Sequence, residues 1–160
     1  MRKNASAQEP QSYPKDSSAI IVLDDGTVFY GYGLGAETEK IGEICFNTSL
    51  SGYQEILTDP SYAGQIINFT FPHIGNVGTN DDDIETQKPA ARGAIFRENP
   101  TSPSSWRAAV PRVQWLKTHD IPGIFGIDTR ALTRRIRDHG APKGLICHRN
   151  DGQFDLDALR

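Results

Sequence analysis

Ala19-Ile20-Ile21-Val22-Leu23-Asp24-Asp25-Gly26-Thr27-Val28-Phe29-Tyr30 carries the strongest conformational signal in the chain. Two β-branched and aromatic runs flank Asp25-Gly26, and glycine accepts the positive φ that a tight hairpin turn demands. A hairpin here opens the folded body at Ala19. Upstream, Met1 to Ser18 is polar, holds Pro10 and Pro14 and has no apolar core segment. It reads as a disordered extension and not as a secretory signal.

Downstream, Ile41 to Asn47 reads as a strand with Ile44 and Phe46 on one face. Ser51-Gly52-Tyr53-Gln54 has the form of a capping box, opening a short helix to about Leu57 that Asp59-Pro60 terminates. Gln65 to Thr70 is the next strand, followed by the glycine-containing loop Phe71 to Gly78 and an acidic stretch, Asn80 to Glu85. Gly93 to Phe96 reads as a strand and Asn99 to Ser105 as a Pro/Ser loop. A helix over Pro111–Thr118 starts on a proline whose missing N–H costs little in a first turn. That helix is expected to bury Val113, Trp115 and Leu116. The clearest helix begins at Asp128 as N-cap, with Ile127 and Leu132 placed as a hydrophobic staple and Gly140 as its stop. Lys143 to His148 reads as a strand, and Asp155 to Arg160 as the start of a further helix. Strands fill the first half and helices enter in the second, without the βαβα alternation of a doubly wound sheet.

A chain of 160 residues fits one domain with a short appendage. Its formal charge of −3 supplies no basic field for nucleic acid or an anionic membrane. No apolar run approaches the length of a membrane span. Cys45 and Cys147 stand far apart, and His73, His119, His139 and His148 lack zinc-ligand spacing, so reduced thiols in a cytoplasmic protein without a metal are expected. Asn47-Thr48-Ser49 and Asn68-Phe69-Thr70 match the glycosylation pattern by coincidence on this reading.

Four constellations invite chemistry. Gly31-Tyr32-Gly33-Leu34-Gly35 resembles a phosphate loop but lacks the third glycine spacing and the helix that would follow, so it reads as a plain turn. The loop Pro72 to Gly78 can turn amides inward to hold an anion, with His73 as charge or base; the alternative is a structural loop with a hydrogen-bonded histidine. Arg130, Arg134 and Arg137 share one helix face, with Arg135 beside them. They read either as a solvated face or as a docking surface for an acidic partner, including the Asn80–Glu85 stretch. Cys45 sits inside a strand, a poor setting for a nucleophilic thiolate, and Cys147 is no better placed. No complete active site is legible.

Phe46-Asn47-Thr48-Ser49-Leu50-Ser51-Gly52-Tyr53-Gln54-Glu55-Ile56-Leu57-Thr58-Asp59-Pro60-Ser61-Tyr62 resembles the signature of the carbamoyl-phosphate synthetase small subunit. Pro72-His73-Ile74-Gly75-Asn76-Val77-Gly78 and Ile127-Asp128-Thr129-Arg130 with Leu132-Thr133 continue the likeness, as do Leu23 to Thr27 and Trp106-Arg107. The resemblance covers about residues 19–150. It implies an α/β fold, the three-layer β/β/α "swivelling" domain, over residues 19–153, after the extension 1–18. Residues 154–160 would then begin a linker toward a C-terminal glutaminase domain. In such a subunit the glutaminase domain hydrolyses glutamine and a large subunit uses ATP, Mg and bicarbonate to make carbamoyl phosphate for arginine and pyrimidine synthesis. The N-terminal domain packs on both, binds no cofactor and has no catalytic residue. One ligand residue carries over: Ser61, implied to contact glutamine, with a turn or cap serine after Pro60 as the reading from the residues alone. The rival to the whole scheme is a stand-alone phosphate-binding module built on His73–Gly78.

Overall fold

A computed structural model of the chain describes residues 16–49, 52–70, 88–98 and 112–159. Among the described residues seven strands form one closed barrel in the order β1-β2-β6-β5-β4-β3-β7. They are β1 (Ala19–Leu23), β2 (Val28–Gly35), β3 (Glu39–Asn47), β4 (Gln65–Phe69), β5 (Gly93–Ile95), β6 (Pro122–Phe125) and β7 (Lys143–His148). The helices are α1 (Tyr53–Thr58), α2 (Arg112–Thr118), α3 (Thr129–His139) and α4 (Leu156–Leu159), with a 3₁₀ turn over Pro60–Tyr62. The α/β class and the strand-then-helix order hold, while the two β layers are continuous with each other through the closed barrel.

The hairpin stands where the opening run places it. Val22 pairs with Val28, Gly26 has φ +87°, and its N–H donates to Leu23 O at 2.9 Å. Order reaches back past Ala19: Ser18 donates its N–H to Gly31 O, and its hydroxyl accepts from Gly33 N–H at 2.8 Å. β3, β4, β5 and β6 are mutually parallel, whereas β1, β2 and β7 are joined antiparallel. The β3–β4 crossover carries α1 and the 3₁₀ turn.

Three apolar clusters follow from the alternation of the strands. The interior holds Ile21, Ile44, Ile66, Ile95, Ile124 and Ile146, together with Leu132 and Ile136 of α3. An outer cluster seats α1 and α2 on the parallel strands through Tyr53, Leu57, Phe69, Phe96, Trp115 and Leu116. A third covers the outer face of β1 and β7, where Phe154, Leu156 and Leu159 pack against Ile20, Val22, Leu145 and Cys147.

α3 matches its sequence signals. Asp128 accepts from Ala131 N–H at 3.0 Å, Ile127 and Leu132 are both buried in the interior cluster, and Gly140 closes the helix on Ile136 O. Asn68 ties this helix to β4, its amide donating to Thr129 O at 3.2 Å and to the Thr133 hydroxyl at 3.0 Å. Asn68 is wholly buried, as expected if its glycosylation pattern is coincidental.

Several expectations are corrected. The glycine run at 31–35 is neither turn nor phosphate loop but the second half of β2. A Cβ at Gly31 would lie 2.5 Å from Phe125 O, so the glycines let β2 approach its neighbours closely. The N-cap of α1 is Gly52, at φ 78° in the left-handed region, with no side-chain cap bond; Ser51 lies outside the described residues. Val113 is 40% exposed. At about 100° per residue it sits about 110° from the middle of the Trp115–Leu116 face, so it cannot share their burial. Phe46 shares a pleat with Ile44 but is 39% exposed at the strand end, whereas Ile44 is fully buried. The loop 72–78, the acidic stretch 80–85, the Pro/Ser loop 99–105, Trp106, Arg107 and Pro111 also lie outside the described residues.

Candidate functional site

Ser61 sits on the 3₁₀ turn of the β3–β4 crossover and is exposed. Its backbone is nevertheless held on both sides. Pro60 presets φ at the first position of the turn, Asp59 accepts from Ser61 N–H at 2.8 Å, and Tyr62 N–H donates to Asp59 O at 3.0 Å. The Ser61 amide, helped by its hydroxyl, holds the Asp59 carboxyl below the usual carboxylate range. Tyr62, next in the chain, packs on the outer cluster and accepts from the Asn47 side-chain amide at 2.9 Å.

Asn47 is itself fully engaged at the end of β3. Its Oδ1 accepts from Ser49 N–H at 2.8 Å, and its carbonyl accepts from Thr70 N–H at 3.1 Å and from the Thr70 hydroxyl at 3.2 Å. The result is an exposed serine on a turn held by Asp59 and by the Asn47–Tyr62 hydrogen bond. Sequence reasoning singled out Ser61 but gave Asn47 only a coincidental glycosylation pattern and Tyr62 no role, although both lie inside the quoted run. The signal for the turn was Asp59-Pro60-Ser61, an Asx-type turn with proline in place, in line with the turn or cap serine expected after Pro60.

The remaining candidates divide between a buried histidine and the outward-facing arginines of α3. His148 is 4% exposed; its Nδ1 lies 3.0 Å from Ala36 O and its Nε2 lies 3.2 Å from Asn150 Oδ1. Asn150 in turn donates its side-chain amide to Glu37. A cleft of about 420 Å³ opens beside this chain, between Glu37, Glu39 and Arg149. The imidazole there links the segment after β2 to the end of β7, with each nitrogen facing a carbonyl oxygen and the ring buried away from solvent. On α3, Arg130, Arg134 and Arg137 are exposed opposite Leu132 and Ile136, while Arg135 pairs with Asp25 across the hairpin and Arg137 with Asp138 at 3.0 Å. A pairing with residues 80–85 falls outside the described residues.

Both cysteines are free thiols, and Cys147 is buried. Burial pushes the Cys45 thiol up from 9.0 to about 11, and burial likewise raises Cys147. At pH 7.5 this leaves Cys45 with about a hundredth of an ordinary thiol's reactive thiolate. Titration with a chromogenic disulfide should therefore label Cys45 about 100-fold more slowly than free cysteine. A rate near that of free cysteine would place a reactive thiol where the fold puts a buried one. Among the described residues no group of three or more metal-binding side chains converges, and no helix is long and apolar enough to cross a membrane.

These features define a barrel domain that carries an exposed serine on a turn held by hydrogen bonds, with burial favouring the protonated form of both thiols. Comparison with known proteins supplies the family. The family model for the carbamoyl-phosphate synthase small chain, CPSase domain, matches residues 21–146. The carbamoyl phosphate synthase small chain of Mesorhizobium japonicum is 58% identical over 147 residues, covering 89% of this chain and 37% of its own length. That of Bradyrhizobium diazoefficiens is 57% identical with the same coverages, 89% and 37%. That of Bartonella bacilliformis is 53% identical, covering 100% of this chain and 41% of its own length. The chain belongs to the carbamoyl-phosphate synthase small chain family, in its CPSase domain. It spans 37% to 41% of the length of these curated relatives.

Proposed function

We propose that this domain is the non-catalytic N-terminal part of a glutamine-using carbamoyl-phosphate synthase. It packs on a glutaminase domain and on a large subunit, and it lends Ser61 to the glutamine site across the domain boundary. The glutaminase domain releases ammonia. The large subunit consumes ATP, with Mg, and bicarbonate to complete carbamoyl phosphate for arginine and pyrimidine synthesis in the cytoplasm. The observation that carries the Ser61 role is its setting: an exposed hydroxyl whose backbone is clamped by Asp59 and Tyr62. A hydroxyl both donates and accepts, which suits the charged ends of an amino acid. Protonated thiols and a buried His148 favour a supporting role over catalysis within this domain.

The test is steady-state glutamine hydrolysis by the full-length small chain assembled with its large partner. Ser61→Ala should raise the KM for glutamine about two- to tenfold, the equivalent of one ordinary hydrogen bond, with kcat nearly unchanged. The 160-residue chain alone should hydrolyse none. Turnover by that chain alone would overturn the supporting role, and an unchanged KM in Ser61→Ala would remove Ser61 from the glutamine site.

A further inference from the structure

The family likeness accounts for Ser61 but not for how an exposed serine keeps its position. Asp59 secures the turn locally, through the Ser61 amide two residues on. An Asx turn fixes the turn's own shape and leaves open where the turn sits against the barrel. That placement needs a contact with something outside the turn, and the Asn47 amide donating to the Tyr62 phenol at 2.9 Å spans 15 residues to supply one. At the other end Asn47 belongs to the last rung of the β3–β4 ladder, paired with Phe69, which is wholly buried. The phenol is thus fastened to the rigid end of a parallel pair, and Tyr62 is the residue directly after Ser61.

We propose that Asn47, acting through the Tyr62 phenol, is the positioning residue that sets the distance of the Ser61 hydroxyl from the glutamine bound beside it. This rests on the reading of Ser61 as a glutamine contact and adds the device that makes the contact productive. The phenol accepts from Asn47, so its own proton is not used in the tether. Asn47→Asp would therefore keep the link with its direction reversed, the phenol donating to the new carboxylate. The substituted side chain would still accept from Ser49 N–H, as Asn47 Oδ1 does now.

The experiment compares five variants of the full-length small chain, assembled with its large partner and assayed for glutamine hydrolysis. Tyr62→Phe removes one oxygen from a ring that keeps its packing, and it should raise KM about two- to tenfold with kcat unchanged. Asn47→Ala should do the same. Asn47→Asp should stay within about twofold of wild type, and Asn47→Asp combined with Tyr62→Phe should return to the Tyr62→Phe value. The fifth variant, Ser61→Ala, separates the two ideas. If its KM is that of wild type, the glutamine contact is wrong and the positioning role falls with it. If its KM rises while Tyr62→Phe and Asn47→Ala keep the wild-type KM, the contact stands and the positioning role is overturned. A fall in kcat without a change in KM in Tyr62→Phe also overturns it, as does Asn47→Asp behaving like Asn47→Ala.

Discussion

Gly33→Ala is expected to leave little folded protein. An ideal Cβ at Gly33 would stand 1.9 Å from Cδ2 and 2.4 Å from Nε2 of His148, well inside van der Waals contact. The ring has nowhere to swing, because it is buried with its two nitrogens facing Ala36 O and Asn150 Oδ1. Either the imidazole leaves its seat and both contacts are lost, or β2 separates from β1 and β6. Overpacking of this kind costs about 1–3 kcal/mol, and each buried polar group left without a partner adds about 1–3 kcal/mol. The sum is a large share of the roughly 5–15 kcal/mol that keeps a domain folded. Urea unfolding followed by far-UV circular dichroism measures it. His148→Ala clears the space, so the double variant Gly33→Ala/His148→Ala should lose less than the two single losses added together. A wild-type midpoint for Gly33→Ala alone would contradict the close approach of strand and ring.

Phe69→Ala is expected to cost about 3–5 kcal/mol, the range for emptying a buried aromatic site. The ring is wholly buried, edge-on to Tyr53 at 5.0 Å and stacked on Phe96 at 5.3 Å. Those partners come from α1 and from the segment after β5, so the cavity would loosen α1 as well as β4. Phe69→Leu keeps most of the volume and should cost about 1.5 kcal/mol or less if the neighbours repack. Denaturant midpoints rank the two variants. Hydrogen exchange supplies a local readout, with α1 amides predicted to lose more protection than those of α3, whose apolar face packs in the barrel interior. Equal loss in both helices would mean that the two clusters unfold as one.

What could be read in advance follows from which forces are local. The β1–β2 hairpin was legible because Asp25-Gly26 declares its turn within four residues. α3 was legible because its cap, staple and stop all lie on one short segment. β6 was missed: Pro122-Gly123-Ile124-Phe125 has a proline and a glycine in four residues and no alternation. It is a strand because β2 and β5 flank it, one antiparallel and the other parallel, and neither pairing is encoded nearby. The barrel's closure was hidden for the same reason. So was the purpose of Gly31 and Gly33, which depends on Phe125 and His148, residues about a hundred positions away. At the candidate site the motif pointed to Ser61, but the Asn47–Tyr62 link is a side-chain bond across the crossover that no local pattern announces.

Each of the seven strands has a neighbour on both sides, β7 joining β1 to β3. Among the described residues no strand is left as an edge of the sheet, the usual template for adding another chain, although β2 passes from one neighbour to another along its length, residues 28–31 pairing with β1 and 32–35 with β6. Any contact with another polypeptide would then rest on side chains rather than on an added strand. The same closure gives like molecules little backbone to add to.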